Sequence, residues 1–424
     1  MDAGTGGASR GGRVLVAALV VDSLGHGLFL PLSLVYFTQL TDVPLGLLGV
    51  LLSAATAVTL PVPVWAGALA DRFGALPLVV AAQLLQAAGF LGYAQVRGPA
   101  GILLAAGAVA IGVRIFWSTI FTAVADYADG SAGGRSRDSW YGVSNAARTA
   151  GLAAGGLLTG AVVADGREGT YRAVAYGAAF CFAVAAVLIA AFVRVGKGHE
   201  HEPLARSGYA TLVRDVPYLG LIAVNTVYAM TSMLLALALP TVVLTGIRGP
   251  AWLTAVILAG NAVLVTVLSA AVVRRLARFR RTRSIVAAAS LWAGFGGLLA
   301  TLPPGRLGFA IPVLVIGGLL FTAAEVVHAP ISTALAAAAA PPAARGRYLA
   351  AFQYSFALAS IVAPAFFATL YEVHMGAPWL ALAAVNLASI PLVLLLERTL
   401  PRAAVLDAAD EAPHDEATAD ATAG

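Results

Sequence analysis

"VLVAALVVDSLGHGLFLPLSLVYFT", residues 14–38, decides the fold. It is an apolar run interrupted by one carboxylate, Asp22, and one imidazole, His26. About 20 apolar residues suffice for a helix to cross the hydrocarbon core of a bilayer. The run is longer than the apolar core of a secretory signal, so it is expected to remain in the chain as a spanning helix. Residues four apart lie on one helix face, which puts Asp22 and His26 side by side. A carboxylate at the centre of a spanning helix costs roughly 2.5 to 3.5 kcal/mol on insertion scales. Such a residue is expected to face a bundle interior or a water-filled cavity.

The rest of the chain supports the membrane reading. Of its 424 residues 60% are hydrophobic and only 11% charged, with mean hydropathy +0.86. A soluble domain is about a quarter charged. Eleven further apolar runs follow the first, at roughly 45–66, 75–95, 101–125, 138–163, 170–194, 216–244, 250–273, 284–302, 308–331, 345–371 and 377–397. The predicted fold is therefore an all-α integral membrane protein with twelve transmembrane helices. The net charge of +5 is spread over loops and does not indicate nucleic-acid binding. The single cysteine, Cys181, sits in an apolar run and fits neither a disulfide nor a metal site.

Positive charge sets the orientation. With twelve spans, nineteen of the 26 Lys and Arg residues fall on the side of the termini and five on the other, with Arg114 and Arg148 inside spans. Both termini are therefore expected in the cytoplasm, and the heavy use of Arg and Ala suggests a bacterial plasma membrane. The chain is also doubled. "RSRDSWYGVSN" begins at Arg135 and "RGRYLAAFQYS" at Arg345, each opening a helix. The expected organisation is a disordered arm (1–12), a six-helix bundle (13–196), a polar linker (197–214), a second six-helix bundle (215–400) and a disordered acidic tail (401–424). Paired six-helix repeats are a known transporter plan.

The loop after the second span reads "GALADRFG", Gly67 to Gly74. It resembles the signature loop of the major facilitator superfamily, although Ala75 and Leu76 stand where that family usually has basic residues. Span 5 carries "GLAAGG", Gly151 to Gly156, similar to a glycine motif of the superfamily's antiporters but with Leu152 in place of the proline. The resemblance implies two packed bundles around a central cavity lined by spans 1, 4, 7 and 10. It implies a conformational gate in which Asp71, with Gly67, Arg72 and Gly74, engages the start of span 11 near Arg345 and Arg347. Gly151, Gly155 and Gly156 would belong to the same moving parts through close helix contact. It also implies a buried arginine on span 4, here Arg114, tied to proton coupling.

Charged residues inside spans are few: Asp22, Arg114, Arg148 and Glu325. His328 follows Glu325 by three, so each half offers a carboxylate with a histidine on the same helix face. A carboxylate that alternates between dry and wet surroundings changes its affinity for a proton, as proton-coupled transport requires. Asp22, Glu325, Arg114, His26 and His328 are thus the expected proton-coupling set. Asp22, Glu325, Asn225, Tyr228, Phe29 and Trp117 are the expected substrate-binding set. These patterns leave open which carboxylate carries the proton, and a polar pair of this kind can also serve only to hold helices together.

The function expected is proton-driven export of lipophilic, cationic small molecules by a monomer needing no cofactor. Import of a sugar or organic acid with protons is the alternative. A membrane-embedded enzyme is disfavoured by the lack of a metal, serine-elbow or phosphate-loop motif. A sensor or scaffold is disfavoured by the lack of an added soluble domain. One cysteine introduced between Arg274 and Arg283 in a Cys181→Ser background should react with a membrane-impermeant thiol reagent only from the cytoplasmic face. Labelling from outside alone would overturn the topology.

Overall fold

The computed structural model describes residues 5–30, 32–130, 137–163, 167–193, 209–276, 278–341 and 344–405. Sixteen α-helices occupy the described residues, and no strand does. In the first half they are α1 (Thr5–Phe29), α2 (Ser33–Leu40), α3 (Leu45–Ala57), α4 (Val62–Phe73), α5 (Ala75–Gln95), α6 (Pro99–Gly130), α7 (Arg137–Val162) and α8 (Glu168–Phe192). In the second they are α9 (Tyr209–Arg214), α10 (Val216–Thr241), α11 (Ala251–Leu276), α12 (Arg281–Leu299), α13 (Leu307–Ala339), α14 (Arg345–Val373), α15 (Ala377–Thr399) and α16 (Arg402–Val405). Only helices and closed barrels satisfy every backbone group inside lipid, and this chain takes the helical solution.

The helices build twelve spans in two six-helix bundles. Ten stretches among the described residues are long and apolar enough to cross a membrane by themselves. The other two spans are α7, whose first turns carry Arg137, Asp138, Asn145 and Arg148, and α12, which opens on Arg281 and Arg283.

Several expectations of unbroken helices are corrected. Span 1 is not continuous: α1 ends at Phe29 and α2 starts at Ser33. Pro31 falls in this break, and a proline lacks the N–H a helix interior needs. Span 2 breaks between α3 and α4 over Val58–Pro61, where Pro61 and Pro63 act in the same way. Span 7 ends in a five-residue π-helical turn, Val242–Gly246, just after Pro240. At the N-terminus α1 begins at Thr5, inside the stretch expected to lack structure. Residues 406–424 of the acidic tail lie outside the described residues.

Glycines set the closest helix approach. A Cβ on Gly27 would strike the carbonyl of Leu152, one on Gly151 the carbonyl of Val20, and one on Gly155 the carbonyl of Leu24. The backbones of α1 and α7 are therefore in direct contact, and Thr159 adds a hydrogen bond from Oγ1 to the Leu28 carbonyl at 2.7 Å. Gly156 is not part of this seam, since its nearest neighbour would be the Gly27 carbonyl at 3.8 Å.

The main contacts between halves join α3 to α14, α2 to α10 and α7 to α11. They lie toward the membrane face opposite the termini. Ser53 Oγ accepts a hydrogen bond from the Ala365 N–H at 3.0 Å, beside Pro364. Gly49 sits against Pro364 and Ala368, Gly46 against the Glu372 carboxylate, and Gly160 against Ala255. Nearer the termini, Trp117 and Tyr354 are exposed.

Gly155→Ala should force α1 and α7 apart and destabilise the detergent-solubilised protein by about 1–3 kcal/mol, whereas Gly156→Ala should be neutral. Thermal unfolding of both variants checks this, and equal melting would contradict the backbone contact.

Candidate functional site

Two polar clusters occupy the apolar interior, one in each bundle. In the first, α1 carries Asp22, which is fully buried. Gln83 of α5 donates from Nε2 to Asp22 Oδ1 at 3.1 Å. His26 Nδ1 lies 3.3 Å from the Asp22 carbonyl oxygen and 3.8 Å from Oδ2. The imidazole thus leans on the helix backbone and stays outside hydrogen-bonding distance of the carboxylate. Its ring meets Phe182 edge-on at 4.7 Å. Among the described residues, Asp22 Oδ2 and His26 Nε2 have no hydrogen-bond partner.

Arg148 of α7 lies within electrostatic reach of Asp22 but makes no ion pair with it. Its guanidinium stacks on Trp117 of α6 at 3.9 Å and near Phe116 at 5.3 Å. Cation–π contacts of this kind contribute about 0.5–1 kcal/mol at exposed sites. Arg114, one turn before Ser118 on the same helix, is half-buried and within electrostatic reach of Tyr354 on α14. Among the described residues its guanidinium has no carboxylate partner.

In the second bundle Glu325 of α13 accepts from Ser232 Oγ of α10 and from Asn261 Nδ2 of α11, both at 2.9 Å. Thr322 Oγ1 donates to Asn261 Oδ1 at 2.7 Å, which fixes the amide so that its NH2 points at the carboxylate. Ser232 and Asn261 were not singled out from the sequence. The signal was there: each is a polar residue in an apolar span, and in span 8 Asn261 is the one amide side chain.

The second carboxylate–imidazole pair does not form. Among the described residues no ion pair joins His328 to Glu325. His328 is buried against the rings of Tyr228 and Trp292, each 5.1 Å away. Spacing of three puts both residues on one helix face, yet Glu325 turns toward neutral donors on α10 and α11 while His328 enters an aromatic box. Tyr228 and Asn225 also point into the bundle. Tyr228 Oη bonds Ser389 Oγ at 2.7 Å, and Asn225 Nδ2 donates to Ser355 Oγ at 2.6 Å. In this conformation neither lines the space between the halves.

That space contains a cavity of about 340 Å³ lined by Phe29, Leu52, Tyr93, Met233, Leu237 and Pro364, among others. Phe29 stacks on Tyr93 at 5.3 Å, so it forms the aromatic wall on the first-half side. The cavity draws on α1, α2, α3 and α5 from one bundle and α10 and α14 from the other. Its surface is almost wholly hydrocarbon.

The expected gate falls largely on side chains outside the described residues, those of Asp71, Arg345 and Arg347. The backbone places Asp71 in the last turn of α4 and Arg345 at the first residue of α14. Gly74 ends α4 with φ 88°, a value that glycine adopts without strain, and its N–H bonds the Ala70 carbonyl at 2.8 Å. Arg72 is exposed, with its guanidinium 5.1 Å from the Phe73 ring. Gly67 has no neighbour close enough to need its lack of a side chain.

Comparison with known proteins fits this architecture. The sequence profile described as Major Facilitator Superfamily matches residues 15–323. Compared with the curated proteins by sequence, the chain matches none. Among solved structures, the nucleoside transporter NupG superposes with a TM-score of 0.75 at 14% identity, covering 91% of this chain and 98% of that one. A POT family transporter in complex with 5-aminolevulinic acid gives 0.67 at 11% identity, covering 93% and 96%. A bacterial homolog of the human lysosomal transporter Spinster, in an inward-facing and unoccupied conformation, gives 0.64 at 15% identity, covering 92% and 94%. At these identities the likeness is one of fold.

Glu325→Gln keeps an acceptor for Ser232 but sets its NH2 against the Asn261 NH2, so it should melt between the parent and Glu325→Ala. Glu325→Ala strands Ser232 and Asn261 and should cost about 1–3 kcal/mol. Thermal unfolding in detergent measures the gap, and identical melting of the two variants would contradict the described hydrogen bonds.

Proposed function

The chain belongs to the major facilitator superfamily, and on that premise we propose that it exports lipophilic, cationic small molecules in exchange for protons. The observation that carries this reading is the hydrocarbon-lined cavity at the seam, with a carboxylate in each bundle that has no arginine partner. A greasy cation would leave water for the Phe29–Tyr93 wall at roughly 25 cal/mol per Å² of apolar surface buried. Glu325, held by the neutral donors Ser232 and Asn261, is the carboxylate offered to that cation. Asp22, with one oxygen unpartnered, is the second place where a proton can be held.

The exchange then needs no further group. With the cavity open toward the termini, taken as the cytoplasmic side of a bacterial plasma membrane, cargo binds ionised carboxylate and displaces a proton. With it open outward, the proton returns and cargo leaves. Arg148 and Arg114 carry the same sign of charge as the cargo, and their part is to help the carboxylates give up the proton when the cavity opens toward the termini. Exchange of one proton for one monovalent cation moves no net charge, so the proton concentration difference drives it; each further proton carried adds about 2.3 kcal/mol for each 100 mV of membrane potential. Asp71, with Arg345 and Arg347, closes the cytoplasmic side in this scheme. His26 acts on Asp22 through the α1 backbone, and His328 acts on the packing around Tyr228.

A second reading has its own support. The two interior guanidiniums without carboxylate partners also suit an organic anion carried inward with protons. Energised cells loaded with a lipophilic cationic dye separate the two. Export of dye that stops on adding a proton uncoupler is the expected result. Glu325→Gln and Asp22→Asn should each cut uphill export at least about 10-fold, the loss of roughly 1.4 kcal/mol of coupling, while sparing downhill movement. Purified parent protein should release protons on dye addition. Equal release by both variants would overturn the assignment, and uptake of a labelled organic acid without dye export would favour the second reading.

A further inference from the structure

The turn between α11 and α12 is strongly basic, and the transport reading does not use it. Six arginines fall within ten residues, at 274, 275, 278, 280, 281 and 283, with no acidic residue among them. Three are already engaged. Arg280 Nη1 binds Glu397 Oε1 at 2.8 Å, Arg283 Nε binds Glu397 Oε2 at 3.1 Å, and Arg281 Nη1 donates to the Ala404 carbonyl at 2.9 Å. Thr282 Oγ1 donates to Glu397 Oε2 at 2.8 Å. Glu397, at the end of α15, is therefore fully occupied, and it ties the turn rigidly to the second bundle.

The other three are free. Arg274, Arg275 and Arg278 are exposed, and among the described residues none has a carboxylate partner. The α12 N-terminus beside them has no side-chain cap and no acidic residue in its first turn, so its backbone dipole adds positive potential. Phe279 is 48% exposed, with the Arg278 guanidinium 5.0 Å from its ring. An exposed aromatic ring and snorkelling arginines at the end of a spanning helix belong at the level of lipid headgroups. The equivalent turn in the first half repeats the motif in Arg72 and Phe73, but there Asp71 offsets the single arginine. The two halves share the geometry, and only the second concentrates the charge.

We propose that the α11–α12 turn is a binding site for the phosphate of an anionic phospholipid, held by Arg274, Arg275 and Arg278 with Phe279 against the headgroup end of its acyl chains. Guanidiniums match phosphate oxygens bidentately, and three such donors around one phosphate leave a zwitterionic lipid disfavoured by its own ammonium. The rigid anchorage by Glu397 means that little order is lost on binding. The site stands apart from the central cavity, so it holds whatever the cargo is.

The test is native mass spectrometry of full-length protein in neutral detergent, titrated with phosphatidylglycerol, phosphatidylcholine or inorganic phosphate. Phosphatidylglycerol should bind the parent well above phosphatidylcholine. Each arginine changed to Gln should weaken it about 5-fold, and the triple Arg274→Gln/Arg275→Gln/Arg278→Gln variant on the order of 100-fold. Arg97→Gln with Arg306→Gln, exposed arginines on the opposite face, should change nothing. Arg278→Gln alone serves if the triple variant does not fold. Parent-like binding by the variants, or equal binding of phosphatidylcholine, would overturn the site. Displacement of phosphatidylglycerol by an equal concentration of inorganic phosphate would overturn the lipid as its ligand.

Discussion

The carbonyl of Leu152 lies where a side chain on Gly27 would have to go, and much of the first bundle depends on that fact. Hydrophobic burial does not drive helices together in lipid, because the acyl chains are as apolar as leucine. Dispersion contacts and small residues do the work instead. Three glycines bring α1 and α7 backbone to backbone, and this places Asp22 in a fully dry position with Gln83 as its side-chain donor. It also swings Arg148 past the carboxylate and onto Trp117. The charged interior follows from the packing of uncharged residues.

The bundles solve the problem of a buried carboxylate differently. Asp22 is enclosed and only partly satisfied, with one oxygen bonded and one not. Glu325 is half-buried and has a donor on each oxygen. An unsatisfied buried oxygen is costly and a satisfied one is not, so the two sites respond differently when water enters.

The helical architecture was legible in the sequence because it depends on a sum, the apolar length of each run. Breaks were legible in principle from Pro31, Pro61 and Pro240, but spanning helices also tolerate proline, so the residue alone does not mark the break. Asp22 and Glu325 stood out as charges in apolar runs. Their partners did not, because Gln83, Ser232 and Asn261 reach them from other helices, and no spacing along one helix encodes that. His328 shows the converse. Its spacing from Glu325 suggested a pair, but a side chain chooses between neighbours by rotamer, and the rings of Tyr228 and Trp292 took it.

The hydrogen bond from the Ala365 N–H to Ser53 Oγ joins the halves at the end away from the termini. Pro364 has disturbed the local ladder there, so the amide looks outward to the other bundle. Interhelical bonds of this kind contribute only about 0.6 kcal/mol. A hydroxyl is also a group that water can replace one for one, leaving no polar atom stranded when the surfaces part. The seam is thus a fastener of the releasable kind, firm enough to keep solvent out while shut and cheap to undo, and its two faces are ready to meet again unaltered after every cycle.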